Sequence, residues 1–110
     1  MNIVYIAGPM SGVPELNFPA FEAAEKKLKE LGHIVRSPHH IKQCCTYEEY
    51  LRVDFKLLLT CDTIAMLPGW YKSNGAKKER IVSDAIGNTT FLLDKNYSIK
   101  KIILPKKYVP

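Results

Sequence analysis

The sequence predicts a three-layer α/β/α fold built on a parallel sheet of four or five strands. Short, continuously apolar segments alternate with amphipathic helical segments in the order β-α-β-α-β-α-β. Strands that are apolar on both sides belong in a sheet covered by helices on both faces, and helical crossovers make neighbouring strands parallel. The 110 residues suit one domain, 1–110, with one modest core.

The first half of the chain predicts two strands around one helix. Residues 2–7 are β-branched and aromatic and form a buried strand that stops at Gly8. Asn17 is expected to cap the following helix, and Gly32 to end it in the left-handed position typical of helix C-termini. Residues 33–36 form the second strand.

The second half repeats the pattern. Thr46 and Glu49 have the spacing of a capping box and open a second helix, which runs to about Leu59. The remaining elements are a strand at 62–67, a helix at 75–86, a strand at 90–93 and a short fifth strand at 102–104. The segment 38–45 has no assignable pattern.

We expect the flavodoxin-like, Rossmann-like strand order 2-1-3-4, with the fifth strand at the end. In open α/β sheets a ligand binds beyond the carboxyl ends of the strands, where the strand order reverses. This point lies between the first and third strands. It brings together two glycine-containing loops, Gly8–Gly12 and Pro68–Gly75.

Charge and cysteine content limit the function classes. Residues 1–94 are neutral overall, and the formal net charge of +5 comes from the five lysines of the basic tail at 94–110, which contains no arginine and no acidic residue after Asp94. A solvated lysine-rich end explains this better than a nucleic-acid surface, which favours interleaved arginine and aromatic residues. The start of the sequence does not resemble a signal peptide, and no apolar run is long enough to span a membrane.

The cysteines and histidines do not predict a metal site. Cys44, Cys45 and Cys61 lack CxxC spacing, and His39 and His40 lack partners at metal-ligand spacing. Reduced thiols indicate a cytoplasmic protein.

Two carboxylates lie on apolar helix faces. Asp54 is in phase with Leu51 and Leu58, so it is paired, hydrogen-bonded or functional, or it lies at the edge of the stripe and reaches solvent or caps a neighbouring loop. Glu79 is in phase with Val82 and is expected to face inward near the start of its helix, whose positive end favours the ionised form. A nucleophile and a salt-bridged helix residue both fit Glu79.

The loops offer candidate binding groups. Lys72, Ser73, Asn74 and Gly75 form the loop at a helix start, where backbone N–H groups, a hydroxyl and a lysine make a candidate anion pocket, although Ser73 or Asn74 is also a fitting N-cap. The Gly8–Gly12 loop is a second cradle, but it lacks the GxGxxG and Walker spacings. An apolar slot for a flat base can be formed by Tyr5, Met10 and Trp70, each of which also suits a core position.

Several motifs together resemble the nucleoside 2-deoxyribosyltransferase-like superfamily, closest to a small bacterial and phage branch. They are YIAGPMSG at 5–12, NFPAF at 17–21, YLRVD at 50–54, CDTI at 61–64, and LPGW at 67–70 followed by SNGAKKE at 73–79. The resemblance implies that Glu79 is a nucleophile. It also implies that Asp54 orients the sugar or protonates the base, and that Tyr5 completes the catalytic group.

The resemblance further implies cleavage of an N-glycosidic bond, with water or a second base as acceptor and without a metal or organic cofactor. The transferases carry aspartate where this chain has Ser73, and the related deoxynucleotide hydrolases carry serine, so a nucleoside 5′-monophosphate is favoured. The expected substrate-binding residues are Gly8, Pro9, Met10, Ser11, Gly12, Trp70, Ser73, Asn74 and Gly75.

Two further expectations concern assembly and class. A chain this short encloses a site poorly, so we expect a homodimer or larger homo-oligomer. The alternative class is a nucleotide-binding or sensing module that keeps the pocket without turnover.

Overall fold

The computed structural model describes residues 1–38 and 46–105. The strands are β1 (Ile3–Ala7), β2 (Ile34–Arg36), β3 (Thr63–Met66), β4 (Thr89–Leu93) and β5 (Ile99–Ile103). The α-helices are α1 (Phe18–Glu30), α2 (Tyr47–Leu58) and α3 (Asn74–Ala85), and short 3-10 turns cover Pro14–Asn17 and Trp70–Lys72.

The sheet has the order β2-β1-β3-β4-β5, which confirms the predicted fold and strand order. Strand β1 pairs in parallel with both β2 and β3, and β3 pairs in parallel with β4. Strand β5 is antiparallel to β4 and begins earlier than expected, at Ile99. The connection is only a tight turn in which Asp94 accepts backbone hydrogen bonds from Asn96 and Ser98, and so short a connection permits only antiparallel pairing.

Strand β1 divides the core into two layers. Val4 and Ile6 pack with α1 on one face, whereas Tyr5 and Ala7 pack on the other face with residues of α2 and α3. All four side chains are fully buried. The alternation of a strand therefore directs Tyr5 toward the two helices that carry Asp54 and Glu79.

The helix caps agree with the sequence at two of three positions. The Thr46 and Ser73 side chains accept hydrogen bonds from the backbone N–H groups of Glu49 and Ala76. The capping role expected of Asn17 is wrong, because its side chain makes no cap bond. Three consecutive residues, Glu15, Leu16 and Asn17, adopt left-handed φ values of 56, 54 and 62°, a conformation that costs roughly 1–2 kcal/mol per residue and changes the direction of the Asn17 side chain.

Part of the predicted basic tail is a strand, since Lys100 and Lys101 lie in β5. The candidates His39, His40, Cys44 and Cys45 lie outside the described residues, as do Lys106 and Lys107. Among the helices that the structure describes, none combines the length and the apolar character needed to cross a membrane.

Candidate active site

A cavity of about 190 Å³, here called the inner cavity, lies beyond the carboxyl ends of β1 and β3. It is lined by Gly8, Met10, Ser11, Leu16, Tyr47, Tyr50, Leu51, Asp54, Ser73, Gly75, Ala76 and Glu79. The two loops predicted to meet at the switch point therefore do meet. Asp54 of α2 and Glu79 of α3 line the same cavity, as the helical phase of each had indicated.

An outer cavity of about 330 Å³ adjoins the inner one. Five residues line both and form the neck between them: Met10, Ser11, Tyr47, Ser73 and Gly75. Pro9, Lys72, Asn74 and Lys78 line only the outer cavity. The neck thus consists of the β1 loop, the start of α2 and the start of α3.

Glu79 is buried at the bottom of the inner cavity, with 5% of its surface exposed. Its carboxylate accepts a hydrogen bond from the Tyr5 hydroxyl. Burial raises the pKa of Glu79 to about 8; the Tyr5 hydrogen bond lowers it and the Asp54 charge raises it. The sequence indicated that the positive end of the helix favours the ionised form of Glu79; burial acts in the opposite direction, and the pKa is raised on balance.

Asp54 is half-buried and projects from α2 into the inner cavity. Burial raises its pKa to about 6. Its Oδ1 atom is shielded from solvent and has no hydrogen-bond partner among the described residues. The shielded Oδ1 atom and the place of Asp54 in the cavity wall are compatible with the functional alternative that the sequence leaves open, and that role stays a prediction.

Ser73 has two properties at once. Its hydroxyl oxygen is the N-cap of α3, and the residue also lines both cavities. A hydroxyl that accepts one hydrogen bond still has its own proton to donate. The N–H groups of Asn74 and Gly75 in the first turn have no intrahelical acceptor, so a negative group at the neck would meet several donors.

Gly8 positions the β1 loop. A Cβ atom at this position would lie 2.7 Å from side-chain atoms of Leu67, a distance that forbids any larger residue without movement. The close approach of the two strand ends therefore depends on the missing side chain.

Three predicted site residues lie away from the cavities. Tyr5 is fully buried behind Glu79 and contacts it without lining either cavity. Gly12 and Trp70 are absent from both linings. The Trp70 ring packs against the core layer that contains Tyr5, and the Arg80 guanidinium lies 4.8 Å from its centroid. A substrate role for Trp70 and Gly12 stays a prediction.

Five residues that line the inner cavity were not predicted as site residues, namely Leu16, Tyr47, Tyr50, Leu51 and Ala76, and neither was Lys78 of the outer cavity. Tyr50 and Leu51 precede Asp54 by four and three positions, so the helical phase that selected Asp54 contains the signal for them. Leu16 reaches the cavity from the left-handed turn before α1, and no local pattern announces that turn.

The described part of the chain contains no cluster of metal-ligating side chains. Within residues 1–38 and 46–105, no three histidine, cysteine, aspartate or glutamate side chains cluster closely enough to hold an ion. The groups of the site that can react or bind a ligand are its two carboxylates and the hydrogen-bond donors at its neck.

The fold and site define a small α/β protein with one buried and one half-buried carboxylate beyond the switch point of its sheet. The chain belongs to the family described as domain of unknown function DUF4406, whose model matches residues 2–91. No curated protein sequence matches the chain.

Solved structures of known enzymes have the same fold. A 2-deoxyribosyltransferase from Bacillus psychrosaccharolyticus is 21% identical with a TM-score of 0.65, over 90% of this chain and 77% of that one. A CMP N-glycosidase from Clostridium botulinum is 23% identical with a TM-score of 0.61, over 83% and 70%. A 2-deoxyribosyltransferase from Leishmania mexicana is 17% identical with a TM-score of 0.64, over 96% and 82%. At these identities the likeness establishes the fold that the chain shares with these enzymes.

Proposed function

We propose that this protein cleaves the N-glycosidic bond of a nucleoside or nucleoside 5′-monophosphate through a covalent glycosyl–Glu79 intermediate. The observation that carries the proposal is the shared inner cavity of Asp54 and Glu79. Retaining glycosidases use two carboxyl groups in this way, one as nucleophile and one as acid and base. The fold shared with deoxyribosyltransferases and a CMP N-glycosidase supports the same chemistry.

In the first step, a Glu79 carboxylate oxygen attacks C1′ of the sugar as the bond from C1′ to the base nitrogen breaks. The electron pair of that bond stays with the base, which takes a proton from Asp54 or from water. Glu79 must first lose its own proton, which passes to solvent water. The Tyr5 hydroxyl favours this loss, since its hydrogen bond stabilises the ionised carboxylate.

In the second step, a water molecule or a second base attacks C1′, and the bond between C1′ and the Glu79 oxygen breaks. The Asp54 carboxylate, now without its proton, takes a proton from the acceptor. Water gives a free sugar or sugar phosphate, and a base gives a new nucleoside. The Glu79 carboxylate is regenerated in both cases.

The neck favours a phosphorylated substrate. Ser73 and the first amides of α3 are hydrogen-bond donors between the inner and outer cavities. A 5′-phosphate placed at the neck would keep C1′ on the inner side, toward Glu79. The homo-oligomeric state and cytoplasmic location expected from the sequence belong to this proposal.

The test is release of free base from each of the four deoxynucleosides and their 5′-monophosphates, measured by chromatography with and without a second base. Base release that needs only water identifies a hydrolase, and release with formation of a new nucleoside identifies a transferase. No base release from any substrate, under conditions where binding is measurable, would overturn the proposal.

One observation favours a binding or sensing module as the second candidate. Burial raises the pKa of Glu79 to about 8, which favours its protonated form near neutral pH, and a protonated carboxyl group is a poor nucleophile. Tight nucleotide binding without base release over the whole range from pH 6 to 9 would favour this candidate.

A further inference from the structure

The two cavities differ in charge. The described residues around the inner cavity include two carboxylates and no lysine or arginine. Those around the outer cavity include Lys72 and Lys78 and no carboxylate. Adjoining acidic and basic compartments suit a substrate with a reacting sugar at one end and a negative group at the other.

The order of the groups along this path is informative. Glu79 lies in the inner cavity, Ser73 lies at the neck, and the two lysines line only the outer cavity. If C1′ lies at Glu79 and the 5′-phosphate lies at Ser73, the two lysines lie beyond that phosphate, on the side away from the sugar.

We propose that the outer cavity binds the second phosphate of a nucleoside 5′-diphosphate, with Lys72 and Lys78 as its ligands. This inference rests on the proposed function, because it takes the sugar to be at Glu79. A diphosphate adds negative charge beyond what one serine and a helix start neutralise. Two ammonium groups are the donors that the structure supplies for it.

The position of Lys78 supports this role. Its Nζ donates a hydrogen bond of 3.3 Å to the Tyr47 hydroxyl and lies 5.0 Å from the centroid of the Tyr47 ring. Tyr47 is a neck residue at the start of α2, so its contact holds the lysine head beside the passage between the cavities. The remaining donors of the ammonium group are available to a phosphate.

Lys77 provides a matched control. It precedes Lys78 on the same helix and is exposed, but it lines neither cavity. A general attraction of nucleotides to a basic surface would involve Lys77 as much as its neighbours. A specific phosphate site would not involve it.

The experiment measures dissociation constants by titration calorimetry with the Glu79→Gln variant, in which turnover is blocked. The ligands are each deoxynucleoside and its 5′-mono- and 5′-diphosphate, at 0.15 M salt as a reference ionic strength and without divalent cations. We expect the second phosphate to tighten binding about tenfold. Adding Lys72→Gln and Lys78→Gln should abolish this gain and leave nucleoside binding unchanged, whereas adding Lys77→Gln should preserve it.

Three results would overturn the inference: equal affinity for mono- and diphosphate, a gain that survives loss of both lysines, or an equal loss with Lys77→Gln. Thermal melting of each variant verifies that the fold is intact. If wild-type protein releases base from monophosphates but the diphosphate binds no more tightly, only this inference fails. If no base is released but the lysine-dependent gain is present, the phosphate site stands and only the glycosidase proposal fails.

Discussion

The Tyr5 hydroxyl of β1 donates a hydrogen bond to the Glu79 carboxylate of α3, although 74 positions separate them in the sequence. Both side chains are buried. A buried carboxylate is costly when ionised, and a hydroxyl donor reduces that cost. The hydrogen bond between Tyr5 and Glu79 therefore affects the fraction of protein molecules in which Glu79 is ionised, the form that the proposed nucleophile requires.

The variant Tyr5→Phe tests this control. Loss of the hydroxyl should raise the pKa of Glu79 further, because the Tyr5 hydrogen bond lowers it. We expect kcat at pH 7 to fall about 10- to 100-fold, the effect of one hydrogen bond to a charged group. The deficit should shrink as the pH rises above 8, because Glu79 then ionises increasingly in the variant as well as in wild type. A deficit that is independent of pH would assign Tyr5 a purely structural role.

The pH dependence of kcat/KM tests Asp54. The proposed first step needs an ionised Glu79 and a protonated Asp54, so the active form holds one proton between the two groups. With pKa values near 6 for Asp54 and 8 for Glu79, wild-type activity should fall below about pH 6, where both groups are protonated, and above about pH 8, where both are ionised. Asp54→Asn should lower activity and remove the alkaline fall, because no acid remains to lose its proton. The fall in activity at acidic pH should persist, because Glu79 must still ionise. Its midpoint should lie below the wild-type pKa of Glu79, because the Asp54 charge no longer raises that pKa. A bell-shaped profile in the variant would exclude Asp54 as the acid.

Substitutions of Ser73 separate capping from phosphate binding. Ser73→Ala removes the N-cap of α3 and should cost about 1 kcal/mol of folding free energy. It should also weaken monophosphate binding by roughly 1.5–3 kcal/mol. Ser73→Asp preserves a cap but repels phosphate, so thermal stability should be kept while KM for the monophosphate rises. Equal effects of Ser73→Asp on nucleoside and monophosphate would contradict a phosphate contact.

The stability of Glu79→Gln can be measured without any substrate. The folded protein holds the Glu79 proton more tightly than the unfolded chain does, so folding is increasingly penalised from about pH 4.5 to about pH 8. The full penalty is on the order of 5 kcal/mol. The melting temperature of the variant should therefore rise relative to wild type between pH 5 and pH 9. Glu30→Gln, at an exposed helix end, is the control and should show a much smaller trend.

The strand order could be predicted because each strand and helix has a strong local signal. β1 is apolar on both faces, which requires helices on both sides, and the caps at Thr46 and Ser73 mark the starts of α2 and α3. The direction of β5 was missed because its strand was expected to begin later, and the tight turn after Asp94 determines it. The left-handed turn at Glu15–Asn17 has no glycine to announce it.

The site was predictable in position but not in electrostatics. Helical phase placed Asp54 and Glu79 on inward faces, and the switch-point rule brought their helices to one edge of the sheet. The raised pKa of Glu79 depends on how completely the surrounding elements exclude water, which is a property of the assembled core. The contribution of Leu16 likewise depends on tertiary structure.

The most direct test of the account compares base release by wild type, Glu79→Gln and Glu30→Gln on the same deoxynucleoside monophosphates. The amide keeps the size of the side chain and can still accept the Tyr5 hydrogen bond, but it cannot form the glycosyl intermediate. We predict that Glu79→Gln binds the substrate and loses base release by several orders of magnitude, whereas Glu30→Gln behaves as wild type. Equal rates of base release in wild type and Glu79→Gln would contradict the proposed nucleophile.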